Sequence, residues 1–245
     1  MKILAIDTST SFATIAVAVE NQVVAELLLN TNRTLSARLI PEIERVIATA
    51  GLGISDIDLF ASSIGPGSFT GIRGGVATIQ GLALATGKPC VGFSSLEMLA
   101  MNFSLSSTLI CPMLDARKSE VYAALYNLSS QAPIPLISDG VFSPEDILNE
   151  IAAATEEPVI FLGDGAVRYH DIISNRLASR ARFPNYPLNH PRPSNAVTLA
   201  LNTYLSEKSV MPSELLPIYL RASDAEINHN KRLTSAGYQF VNEPS

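Results

Sequence analysis

The sequence predicts an α/β protein built from two related lobes, and three observations carry that prediction. The first is a repeated start. AIDTSTSFATIAVAV at residues 5–19 and MLDARKSEVYAALY at residues 113–126 each read as strand, aspartate, short polar turn, strand. The second is a repeated punctuation. The apolar run that ends in Gly65-Pro66-Gly67 is answered by Val159 to Leu162, which ends in Gly163-Asp164-Gly165. The two aspartates lie 108 residues apart (115 − 7) and the two glycine turns 98 (163 − 65). A period that long marks domain duplication rather than a solenoid of short repeats. The third is the alternation of strand-like apolar runs with patterns of helical period.

The elements follow in order. Residues 2–6 read as a buried strand ending at the polar turn Asp7-Thr8-Ser9-Thr10-Ser11. Residues 13–19 and 23–29 are β-rich and flank the turn Glu20-Asn21-Gln22, so the chain opens with three antiparallel strands. Leu39, Ile40, Ile43, Val46, Ile47 and Ala50 recur at helical spacing over residues 36–50, with Pro41 in the first turns, where proline is tolerated, and Gly51 and Gly53 as the stop. A strand is predicted over 58–64, a helix over 70–86, a strand over 90–93 and a helix over 95–102. The second half opens with strands over 109–114 and 121–128. Helices follow over 144–155, with Ser143 as N-cap, over 169–180, and over 194–208, with Ser194 as N-cap. Residues 183–193 are proline-rich and read as a loop. These elements divide into a first lobe at 1–106, completed by a returning segment at 214–232, a second and more divergent lobe at 107–213, and a polar tail at 233–245.

Composition narrows the function. The 245 residues are 47% apolar and 16% charged, with a net charge of −6. A protein that grips a phosphate backbone normally shows a basic surface. The one basic cluster is His229-Asn230-Lys231-Arg232, so any RNA contact is expected to come through another subunit. Cys90 and Cys111 sit in apolar surroundings and read as reduced core residues of a cytosolic protein. MKILAIDTST runs straight into a strand pattern, without the basic-then-apolar design of a signal peptide. No apolar run reaches the ~18 residues that span a bilayer. A cytoplasmic location is the expectation.

GPGSFTGIRGG, residues 65–75, holds five glycines in eleven residues between a strand and a helix. It fails the Walker pattern, because no Gly-Lys-[Ser/Thr] closes it. It fails the dinucleotide fingerprint, because Thr70 stands in the sixth position and Pro66 removes a backbone donor. It is not a nucleophile elbow, which would need glycine at 66 and 70. A tight turn at a helix N-terminus remains, a generic anion site. With the aspartate turns it defines a candidate nucleotide or anion set: Asp7, Thr8, Ser9, Gly65, Gly67, Ser68, Asp115 and Arg117. Any ATP or ADP bound there is expected to bind weakly. Glycines 71, 74, 75 and 81 fall inside the helix, each costing ~1 kcal/mol relative to alanine. Two readings of that glycine face stand open: close packing on the protein's own sheet or helices, and a subunit interface. His170, His190 and His229 lack metal-ligand spacing, so no metal site is expected.

At these residues a family resemblance enters. ILAIDTST, SARLIPEIERVI, GPGSFTGIRGG, QGLALATGKPCVGFSSLEMLA, LDARKSEVYAALY and PIYLR resemble the bacterial TsaB (YeaZ) family, from Met1 to about Arg221. The resemblance implies two ribonuclease-H-like lobes of the actin/Hsp70/sugar-kinase (ASKHA) type. It implies a non-catalytic subunit that pairs with TsaD, works with the ATPase TsaE, and pairs with itself when alone. The complex places threonylcarbamoyl on N6 of adenosine 37 in tRNAs reading codons that begin with A. The implied pairing surface is the two first-lobe helices, with Leu39, Ile43, Ile47, Gly71, Gly74, Gly75, Thr78 and Leu82. TsaD holds its metal between histidines on one helix; here the comparable positions are Ser95 and Leu99. Leu35-Ser36 stands where relatives often carry His-Ser. Two alternatives remain: a small nucleotide-binding phosphotransferase or ATPase of the same fold, and an M22-type metallopeptidase.

Overall fold

The computed structural model describes residues 1–30, 35–130 and 132–221, and of residues 35–37 the backbone alone. The contrast between Leu35-Ser36 and His-Ser, the basic cluster at 229–232 and the tail therefore lie outside the described side chains.

The first lobe runs β1 (Lys2–Asp7), β2 (Phe12–Val19), β3 (Gln22–Asn30), α1 (Leu35–Thr49), β4 (Leu59–Gly65), α2 (Phe69–Thr86), β5 (Cys90–Ser94) and α3 (Ser95–Ala100). Its five strands lie in the order β3-β2-β1-β4-β5, with β1, β2 and β3 antiparallel and β4 and β5 parallel to β1. The second lobe repeats this plan with β6 (Leu109–Arg117), β7 (Glu120–Asn127), β8 (Ile134–Phe142), α4 (Pro144–Ala154), β9 (Val159–Leu162), α5 (Asp164–Arg168), α6 (His170–Leu177) and β10 (Ala181–Arg182). Its order is β8-β7-β6-β9-β10, with the same strand directions. The duplication thus holds at the level of topology, and each half is a ribonuclease-H-like lobe of the ASKHA type.

Strand β8 was unassigned by sequence, because Pro133, Pro135 and Gly140 blur its period. Proline is tolerated on an edge strand, where an amide need not be donated, and β8 is an edge. Residues 163–165 are not a bare turn either: Gly163 is the N-cap of α5. Ser143 caps α4 as expected, its hydroxyl accepting from Asp146 N at 3.1 Å. The last helix, α7 (Pro193–Leu205), corrects the expected cap. Arg192 holds the N-cap position and Pro193 the first turn, leaving Ser194 inside the helix.

Helix α7 also corrects the domain division. It lies on β1, β2, β3 and β5 of the first sheet, although its sequence position falls in the predicted second lobe. Helix α3, which ends the first lobe, packs on β6 and β7 of the second sheet as well as on β4 and β5. The two helices fill the space between the sheets. One apolar core therefore runs through both lobes, from Ile3, Ala5 and Leu59 through Leu96, Leu99, Ala196 and Ala200 to Ile110, Ala124 and Tyr126. Asn195 ties the helices, its amide donating to Met98 O at 3.1 Å and Asn102 Oδ1 at 2.9 Å. Separate cores lie on the outer faces, one beneath α1 and α2 and one beneath α4 and α6.

Candidate functional site

A cleft of about 600 Å³ opens between the lobes. The first lobe contributes Ser9, Thr10 and Ser11 from the β1–β2 turn and Pro66 to Thr70 from the start of α2. The second contributes Leu114 to Arg117, Tyr122 and Asp164. Residues 218–221 return across its mouth.

The glycine stretch is best read from what a side chain would strike. A Cβ built on Gly67 falls 2.3 Å from Ser9 O, one on Gly71 falls 2.0 Å from Thr8 O, and one on Gly75 falls 2.3 Å from Thr8 Oγ1. Gly71 and Gly75 share one helix face at a spacing of four, and that face, with Gly67 just ahead of the Ser68 cap, is seated on the β1–β2 turn. Polar links fasten it: Thr8 Oγ1 donates to Gly71 O at 2.7 Å and Ser68 N donates to Ser9 O at 2.7 Å. Ser68 caps the helix, accepting from Gly71 N at 3.3 Å. Of the two readings left open by sequence, close packing on the protein's own backbone accounts for Gly71 and Gly75. Their place in the expected pairing surface is corrected accordingly. Gly74 and Gly81 differ, because a Cβ on either meets nothing within 4 Å.

Three more residues of the expected pairing surface are corrected by burial. Leu39, Ile43 and Ile47 are at most 3% exposed and belong to the core beneath α1 and α2. Leu82 packs partly against the same core, and Thr78 is half-buried, its hydroxyl turned back to Gly74 O at 2.7 Å. The outward surface of these helices includes instead Ile40 (51% exposed), Ala48, Gly74, Ala77, Gly81, Leu84 (74% exposed) and Ala85, interspersed with the exposed Arg38, Glu44, Arg45 and Arg73.

The aspartates of the two hairpins have different settings. Asp7 does not line the cleft. It is 1% exposed, behind Thr8 and Ser9. Its Oδ1 accepts from Ser9 N at 3.0 Å and from the Ser63 hydroxyl. Burial pushes its carboxyl above the usual range, against the pull of those hydrogen bonds. Asp115 does line the cleft. Its Oδ2 pairs with Arg168 Nη1 at 2.6 Å and its Oδ1 accepts from Arg117 N at 2.9 Å. Its own amide donates to Asp164 Oδ1 at 3.0 Å. Burial, helped by the charge of Asp115, raises Asp164. Gly163 repeats the role of Gly67, since a Cβ there would fall 2.3 Å from Met113 O.

These turns fit a bound nucleotide poorly. A phosphate needs free amides in the turns. The amides of Ser9, Ser68, Asp115 and Arg117 already donate to the chain's own carbonyl and carboxylate oxygens. Of the candidate set, Ser9, Gly67, Ser68, Asp115 and Arg117 line the cleft; Asp7, Thr8 and Gly65 lie behind it. Arg73 is not aimed into the cleft as a phosphate ligand would be. Its guanidinium carbon lies 3.9 Å from the Phe69 ring centre, and its Nε donates to Tyr219 Oη at 2.6 Å.

The sequence missed two cleft residues and the partner of a third. Arg168, which pairs with Asp115, sits on a short helix without a clear period. Tyr219 and Arg221 arrive from the end of the described chain, where Ile218 N donates to Ile64 O at 2.8 Å and Arg221 Nη1 reaches Glu120 Oε2 at 2.8 Å. A smaller pocket of about 180 Å³ adjoins the cleft, and in its wall His190 stacks on Phe12 with ring centres 4.2 Å apart. Among the described residues no group of three or more histidine, cysteine or acidic side chains is placed to hold a metal ion. No helix there is long and apolar enough to cross a membrane.

Comparison with known proteins agrees with this architecture. A family model described as TsaD, tRNA N6-adenosine threonylcarbamoyltransferase, matches residues 13–229. The tRNA threonylcarbamoyladenosine biosynthesis protein TsaB of Bacillus subtilis is 32% identical over 227 residues, covering 92% of this chain and 96% of that protein. The protein of the same name from Haemophilus influenzae is 30% identical over 236 residues, covering 90% and 94%. The solved structure of YeaZ from Pseudomonas aeruginosa superposes with a TM-score of 0.77 at 27% identity, covering 89% of this chain and 99% of that one. The likeness covers about nine tenths of the chain: the chain belongs to the TsaB (YeaZ) family.

Proposed function

We propose that this chain serves tRNA threonylcarbamoyladenosine biosynthesis as a non-catalytic subunit. In this reading it pairs with a TsaD-type catalytic subunit and acts together with TsaE, while tRNA is reached only through the complex. Alone it pairs with a second copy of itself. The pairing surface is the outward side of α1 and α2, and the cell compartment is the cytoplasm. One observation carries the reading: the hairpin turns that would hold a phosphate are closed by the chain's own helix and carboxylates, while a small-residue helix face stands exposed beside Ile40 and Leu84. Small outward residues let a partner helix approach closely without side-chain ordering.

The test is reconstitution of adenosine 37 modification from TsaC, TsaD and TsaE with and without this chain. Modification is expected to fall to background when the chain is omitted. Undiminished modification contradicts the proposal. The second reading, a nucleotide-binding enzyme, draws on the 600 Å³ cleft and on Arg117 at its edge. Calorimetry with ATP and magnesium separates the two. Tight binding with turnover favours the enzyme; weak binding or none favours the subunit.

A further inference from the structure

The segment that returns after α7 forms a second rail beside α2. Its turn at Pro212–Glu214 packs on that helix. Gln80 Nε2 donates to Leu215 O at 3.0 Å and Arg73 Nε donates to Tyr219 Oη at 2.6 Å. These bonds lay the segment along the side of α2 that carries Arg73, Ala77, Gln80 and Leu84, positions that recur at a spacing of three and four. Large apolar side chains stand open on both rails: Leu84 is 74% exposed, Leu216 64% and Met211 66%.

Arg73 heads this surface and is already held in place. Its guanidinium carbon lies 3.9 Å from the Phe69 ring centre and 5.4 Å from that of Tyr219, and the two rings pack on each other with centres 4.8 Å apart. Because Tyr219 takes the Nε edge, the Nη1 and Nη2 end is what the side chain has left to offer. Arg38 and Arg45 both pair with Glu42, whereas among the described residues no carboxylate lies within ion-pair distance of Arg73. A guanidinium stacked in this way has given up much of its rotamer freedom in advance, so a planar anion that meets it loses little to ordering. Two parallel N–H groups match a carboxylate bidentately.

The surroundings say what carries that carboxylate. A nucleic-acid backbone asks for several cations together, and the ground beside Arg73 is aliphatic instead. A small free acid would leave Leu84 and Leu216 uncovered. A protein surface that sets apolar side chains around an aspartate or glutamate satisfies both the fork and the leucines. We propose that Arg73 is the charged anchor of the pairing surface, its Nη1–Nη2 fork holding an acidic side chain of the partner subunit while Leu84 and Leu216 close the apolar rim around it. The proposal rests on the pairing reading above and extends that surface from the helices onto the returning segment. Arginine framed by a rim that excludes water is a common centre of binding energy at protein interfaces.

The experiment is calorimetry of the full chain with TsaD at low and at high sodium chloride. Arg73→Gln and Arg73→Glu are expected to bind about thirtyfold or more weaker than the parent, the scale of breaking a desolvated charge pair. Added salt is expected to weaken the parent more than Arg73→Gln, because the variant has lost an ion pair. Among TsaD variants with one acidic residue changed to arginine, one is expected to restore binding to Arg73→Glu. Melting temperatures check that each variant folds. Arg73→Lys keeps the stem and the charge if the others do not fold, and is expected to bind about tenfold weaker, since an ammonium makes no fork. Arg73 variants that match the parent in affinity and in salt dependence overturn the anchor and leave the pairing reading standing. So do variants that lose only self-association, which reassigns the fork to a second copy of the chain. A parent that does not bind TsaD contradicts the pairing reading and the anchor with it.

Discussion

A glycine at one position of α2 and a glycine three residues on do opposite things. Gly71 and Gly75 are required by the Thr8–Ser9 backbone, whereas Gly74 and Gly81 border open space. Alanine at 67, 71 or 75 is therefore expected to destabilise the fold by about 1–3 kcal/mol, the usual cost of overpacking a tight contact. Alanine at 74 or 81 is expected to stabilise it by about 0.5–1 kcal/mol through helix propensity. Urea denaturation of the five variants checks both signs. At this scale the sequence was partly legible. The glycine face could be seen, and its cost in helix propensity reckoned. What approaches that face could not be seen, because the neighbour is a backbone turn sixty residues away that carries no side-chain signal. The aspartates show the same limit. Their matched positions were readable, but full burial of one and partial exposure of the other depends on which surface α2 covers.

Between elements, α3 and α7 join the lobes, and a cluster of polar groups marks the join. Ser94 Oγ, at the start of α3, donates to Asp139 Oδ2 of β8 at 2.5 Å, and Tyr126 of β7 donates to Asp139 Oδ1. Glu97 on α3 lies beside them. Burial first, and the charge of Asp139 second, push its carboxyl up to about 7. A glutamate in the unfolded chain has an ordinary value near 4.5. Between those values the folded protein holds a proton that the unfolded chain has released. Stability therefore falls as pH rises from about 4.5 to about 7 and then levels. Asp7 shifts in the same direction, so Glu97→Gln is expected to flatten part of the slope rather than all of it. Thermal melts across that range measure it; an unaltered slope refutes the assignment to Glu97. Leu99, on the same helix and 2% exposed, is expected to cost about 2–5 kcal/mol when replaced by alanine. The crossing of α3 and α7 was hidden from sequence analysis. Both helices are apolar enough to bury, but periodicity does not say against which sheet. Strand β8 was hidden for a different reason, its prolines, which only an edge position tolerates.

Across the whole molecule the duplication was legible, because two hairpins and two glycine turns recur in the same order at nearly the same separation. The pairing surface was legible only as a pair of helices. Reading Leu39, Ile43 and Ile47 as contacts mistook the buried stripe of α1 for its outward one; the two stripes are distinguished only once the sheet beneath is in place. The account now rests on the outward stripe. Leucine at Gly74 or Gly81 meets no atom of the chain's own fold within 4 Å of its Cβ, so these variants are expected to fold normally while obstructing a partner helix. The most direct measurement is the mass, by light scattering after gel filtration, of this chain mixed with TsaD, for the parent and for Gly81→Leu. The account predicts a one-to-one complex with the parent and separate species with the variant. Separate species with the parent, or an undisturbed complex with the variant, would contradict it.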